Sequence, residues 1–82
     1  MGFVSISLES YVAKHLKSNP GDSPKAIRAA LRSALRAHRS GTRCECGERI
    51  WVIGSAIVGN ACFTCITGEA DPSDDYELED AL

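Results

Sequence analysis

The residues of this 82-residue chain best equipped for chemistry are its four cysteines. They fall in two pairs, Cys44-x-Cys46 and Cys62-x-x-Cys65, separated by fifteen residues. Thiolates are strong, soft metal ligands. Two short pairs that the intervening chain folds together are what a tetrahedral four-sulfur site requires. Gly47, directly after Cys46, permits the positive φ that turns backbone amides toward a thiolate. Four protein thiolates fill the tetrahedron, so such a site excludes water and substrate; it stabilises rather than catalyses. The same ligands suit a rubredoxin-like iron site or an iron–sulfur cluster. Two disulfides are a further reading, but they require an oxidising compartment. A redox dithiol at Cys62-Phe63-Thr64-Cys65 would need a surrounding βαβ pattern that the flanking residues lack.

On these four positions, segment 44–68 resembles the zinc-ribbon class, in which two cysteine-bearing knuckles cap a β-hairpin. It departs from that pattern at two places: the first pair has one intervening residue, and Ile66 stands where the second knuckle would carry its glycine. A treble-clef arrangement is the alternative, with Cys62 and Cys65 in the first turn of a helix kept short by Gly68 and Pro72. Either resemblance implies that Cys44, Cys46, Cys62 and Cys65 bind one structural zinc ion.

The remaining chemistry-bearing residues point away from catalysis. His15 and His38 both lie on apolar helical faces, where a partly buried, hydrogen-bonded imidazole is expected. His38 stands six residues before Cys44 and is the substitute ligand if one cysteine does not reach. There is no nucleophile–base–orienter set, no glycine-rich phosphate loop and no paired-carboxylate motif, so an enzyme is not expected. Asp74-Asp75 read as solvated charge.

The elements that must position the cysteines begin with two helices. Ser7 is a plausible N-cap, and Leu8, Tyr11, Val12, His15 and Leu16 follow the i, i+3, i+4 rhythm of one face. Ser18-Asn19-Pro20-Gly21 ends that helix. Ser23 caps the second, with Pro24 at its first position and Gly41 past its end. At about 100° per residue, Ile27, Leu31, Ala34, Leu35 and His38 face the core. Lys25, Arg28, Arg32, Arg36 and Arg39 form an adjoining basic side. Ala26, Ala29, Ser33 and Ala37 form a small-residue sector able to receive the first helix or a second protein. Beyond Arg43, Ile50–Ile53 and Ala56–Val58 are β-branched apolar runs broken by Gly54-Ser55 and followed by Gly59-Asn60, and they predict a small β-hairpin whose turn lies at either break. The expected fold is α+β: one domain over 1–82, with a helical hairpin (1–43), a four-cysteine zinc hairpin (44–68) and an acidic tail (69–82).

Charge follows the same division. Residues 1–43 hold eight bases against Glu9 and Asp22, whereas 44–82 hold nine acids against Arg49. The net charge of −2 conceals this split, which predicts either internal pairing or two separate electrostatic surfaces. The composition, 44% hydrophobic and 24% charged, is that of an ordinary globular chain. No apolar run approaches the ~20 residues of a membrane span. The first residues meet Glu9 without a basic leader, so a cytoplasmic protein is expected. An iron-based electron carrier or an enzyme using the cysteines is the least favoured function, and two others stand above it. One is a non-enzymatic protein-interaction module, an adaptor, inhibitor or accessory subunit. The other is a nucleic-acid binder using Arg28, Arg32, Arg36, Arg39 and Arg43 on phosphates. The first is preferred, because Trp51, Ile57, Val58 and Phe63 exceed what a small hairpin can bury and an acidic tail would compete with phosphate.

Overall fold

The computed structural model describes residues 2–82. In chain order it contains β1 (Val4–Ile6), α1 (Leu8–Ser18), α2 (Pro24–Arg39), α3 (Val52–Val58), α4 (Phe63–Thr67), β2 (Tyr76–Leu78) and a 3-10 turn (Glu79–Ala81). The mixed α+β class is as expected, but its parts are arranged differently.

The two long helices start and stop where their punctuation directs. Ser7 accepts the Ser10 N–H, and Ser23 accepts the Ala26 N–H, each satisfying a donor of the first turn. Asn19 closes α1 by donating both its backbone and its side-chain N–H to the His15 carbonyl. Gly41, at φ +89, ends α2 in a Schellman motif: its N–H donates to the His38 carbonyl and that of Thr42 to the Ala37 carbonyl. The core face of α2 is the one expected. Leu31, Ala34, Leu35 and His38 are buried, and Ile27 packs at the edge. Val12 of α1, Val52 and Ile53 of α3, and Leu78 of β2 complete the centre.

The expected β-hairpin is absent. Val52–Val58 forms α3, packed along α2. A short apolar run suits a buried helix as well as a strand, and tertiary contacts decide. Three contacts decide here. Glu77 accepts the N–H groups of Val52 (2.8 Å) and Ile53 (3.3 Å), capping a helix whose own N-cap, Trp51, has no capping side chain. Gly54 lies under the Trp51 ring, where a side chain would collide with Trp51 and Ile66. Gly59, at φ +101, terminates the helix.

Part of the acidic tail is a strand of the sheet. Tyr76–Leu78 pairs in parallel with Val4–Ile6, in the register Val4↔Tyr76, Ser5↔Glu77 and Ile6↔Leu78. Trp51 Nε1 donates to the Tyr76 carbonyl at 2.8 Å, tying this strand to α3. Acid occurs in the segment because most of it faces solvent, but Glu77 is 3% exposed and works inside.

Candidate metal centre

The first cysteine pair sits on a tight turn that its own backbone closes. Arg43 and Arg49 form an antiparallel bridge, the Cys44 N–H donates to the Glu48 carbonyl (2.9 Å), and the Gly47 N–H donates to the Cys44 carbonyl (2.8 Å). Gly47 takes φ +94, the conformation for which a glycine was expected there. Arg43 braces the turn by donating from Nη1 to the Gly47 carbonyl.

The second pair is built on a helix start instead of a second knuckle. Cys62 is the N-cap of α4, and its Sγ accepts the Cys65 N–H at 3.4 Å. Cys65 therefore needs no left-handed residue beside it, which explains why Ile66 can stand there. Ile66 instead reaches toward Gly54. Gly68, at φ +81, ends α4 after one turn and a half.

These two supports bring all four Sγ atoms within 4.8 Å of one another. Cys46 Sγ and Cys62 Sγ are 3.6 Å apart. A tetrahedron with metal–sulfur bonds of about 2.3 Å has edges of about 3.8 Å, so the set fits one metal ion. All four cysteines are free of disulfides; Cys44 and Cys62 are buried, Cys46 and Cys65 exposed. Among the described residues no other group of His, Cys, Asp or Glu side chains could hold a metal.

The thiols do not share charge equally. Backbone N–H groups of Cys46 and then Cys62 hold the Cys44 thiol down at about 6, so it ionises readily. Hydrogen bonding among the sulfurs, with Cys44 foremost, pushes Cys65 up to about 12. One negative charge is comfortable in the cluster and several are not, until a cation offsets them.

Comparison with family models, curated proteins and solved structures finds no match to this chain.

What holds the two supports together is α3 and its attachments, the part sequence reasoning missed. The Trp51 N–H donates to the Ala61 carbonyl (2.9 Å). Ser55 Oγ donates to that same carbonyl and accepts the Ala61 N–H, fixing the residue before Cys62. Phe3, Trp51 and Phe63 stack and pack edge-on beneath, with centroids 4.9–6.0 Å apart. The signals were present in sequence as Gly54-Ser55 and Gly59-Asn60, which a hairpin reading used up as turns.

The other candidate residues disperse. His15 Nε2 lies 2.8 Å from Asp22 Oδ2 in the loop between α1 and α2, a hydrogen-bonded imidazole as expected. His38 is buried on α2 and is not one of the clustered ligands. Burial lowers its pKa, helped by the Arg49 and Arg39 charges. Arg28 is occupied by Glu9, whose two oxygens accept from its Nε. Lys25, Arg32, Arg36 and Arg39 are exposed and make no ion pair among the described residues. The acidic tail thus does not neutralise the basic side of α2. No helix among the described residues is long and apolar enough to cross a membrane.

Proposed function

We propose that this chain is a small non-enzymatic interaction module, an adaptor, inhibitor or accessory subunit, in which Cys44, Cys46, Cys62 and Cys65 hold one structural zinc ion. The observation that carries this reading is the convergence of four thiols from two separate supports, a backbone-closed turn and a helix N-cap. A metal there ties residues 44–46 to 62–65. It uses all four tetrahedral positions for protein sulfur, leaving none for water or substrate. Zinc supplies folding free energy in such a site and no chemistry. Four reduced thiols also fit a reducing, cytoplasmic setting. Metal analysis of protein purified without added metal tests the assignment. One zinc per chain, lost when Cys44 or Cys65 is changed to serine, is expected. Stoichiometric iron, or metal-free protein with two disulfides, refutes it.

One observation favours a second reading. Lys25, Arg32, Arg36 and Arg39 are exposed and form no direct ion pair among the described residues, and they are what a phosphate backbone would contact. Tight binding of a defined nucleic acid near physiological salt, abolished by replacing Arg32 and Arg36 with zinc retained, would establish it over the first.

A further inference from the structure

We infer that the exposed face shared by α2 and α3 docks an acidic amphipathic helix from another protein. This rests on the interaction-module reading and names the partner surface. Two features that nothing in the fold explains lie side by side on this face. The first is apolar. Ile57 and Val58 at the end of α3 are 63% and 65% exposed, although the same helix buries Val52 and Ile53 almost completely. Ile57 lines a groove of about 280 Å³ together with Ala26, Ile27, Ala30 and Ala56, and the hydrogen-bonded His15 and Asp22 line it too. The second is cationic. Lys25, Arg32 and Arg36 are exposed and form no ion pair among the described residues, although Arg32 lies close enough to Glu9 for its charge to act on that carboxylate.

The geometry of α2 joins the two. At about 100° per residue, Ala30 and Ala26 border the groove, Ser33 and Ala29 come next, and Arg36, Lys25 and Arg32 follow on the far side. Ala26, Ala29 and Ser33 are exposed, so α1 does not cover this strip. Small residues there allow a second helix to approach closely, with its apolar side over Ile57 and its flank over the bases. An acidic flank complements this edge, because Lys25 and Arg36 form no ion pair and Arg32 reaches Glu9 only through space. A phosphate chain would use the arginines and leave Ile57, Val58 and the groove bare. A purely apolar partner would bury Arg36 against nothing. An acidic amphipathic helix satisfies both halves at once.

The test places a photo-crosslinking amino acid at Ala29 of the full chain, in cells that produce the protein, with separate placements at Lys17, Glu48 and Asp80. Adducts are isolated and the attached peptide is sequenced. A foreign, acid-rich segment with apolar residues at i, i+3 or i+4 spacing, captured from position 29 and not from 17, is expected. Its yield should fall at least tenfold with Ile57→Asp, and separately with Arg32→Glu plus Arg36→Glu, while zinc content and helicity are unchanged. Capture at position 29 of nucleic acid, of a second copy of this chain, of a non-acidic segment, or of nothing above position 17 overturns the inference. Adducts from Glu48 or Asp80 without any from 29 overturn this surface but leave the module reading standing. No adduct from any position overturns both.

Discussion

Replacing Glu77 with alanine should cost more stability than any other change to an acidic residue. Its carboxylate accepts three buried backbone N–H groups, those of Val52, Ile53 and Leu78, at 2.8, 3.3 and 2.9 Å. Those residues are 0%, 4% and 1% exposed, so water cannot replace the lost acceptor. Each buried donor left unmet costs about 1–3 kcal/mol. Part of that is returned because the variant no longer buries a carboxylate, whose pKa is raised by burial against the pull of the same three donors. A net loss of about 2–5 kcal/mol follows, against a total stability of about 4–12 kcal/mol for a chain of this length. Glu77→Gln retains one acceptor oxygen and should lose about 1–2 kcal/mol. Glu79→Ala, two residues on and exposed, should change stability by less than about 0.5 kcal/mol. Urea denaturation of the metal-loaded proteins, followed by circular dichroism, measures all three. If Glu77→Ala and Glu79→Ala are indistinguishable, Glu77 does not cap α3 and the account of that helix fails.

Gly54→Ala would place a methyl group 2.7 Å from Trp51 Cζ3 and 2.8 Å from Ile66 Cδ1, so it should destabilise by about 1–3 kcal/mol and shift the Trp51 fluorescence; an unperturbed spectrum would contradict the packing. Cysteine-to-serine changes at Cys44, Cys46, Cys62 or Cys65 should each lower bound zinc and the melting temperature together, whereas His38→Asn should leave metal stoichiometry intact by elemental analysis. His38 also predicts a pH effect. Its folded pKa lies below the unfolded 6.5, so as pH falls below 6.5 the unfolded chain takes up a proton that the folded chain resists, and stability drops. His38→Leu should flatten that drop in denaturation series between pH 7 and 5.5; an unchanged slope would show that His38 does not contribute.

Local determinants made about half of this fold legible. Ser7, Ser23-Pro24 and Gly41 mark helix ends because each satisfies or frees a backbone group within four residues of itself. The face of α2 was readable because one period governs sixteen residues. The cysteine set was readable because metal geometry limits how four thiols can be spaced. What escaped depends on partners far along the chain. Val52–Val58 carries strand-forming side chains and becomes a helix when a carboxylate 25 residues away meets its first two N–H groups. Glu77 itself was indistinguishable in sequence from its solvated neighbours Asp75 and Glu79. Val4–Ile6 showed no strand signal because its partner lies at the other end of the chain.

The pairing of β1 with β2 has a consequence for the cysteine cluster. A parallel pair needs a crossover, and here the crossover runs from Ser7 to Asp75. Closing a loop of about 70 residues costs on the order of 4 kcal/mol in chain entropy before any contact rewards it. The strand that closes it also carries the cap of α3, and α3 holds the two cysteine pairs in register. Until residues 77 and 78 pair with β1, α3 lacks the carboxylate that accepts its first two N–H groups, and the brace between the thiols is weaker. The cysteine cluster is therefore coupled to this closure, so its affinity for metal reports whether β2 has found β1.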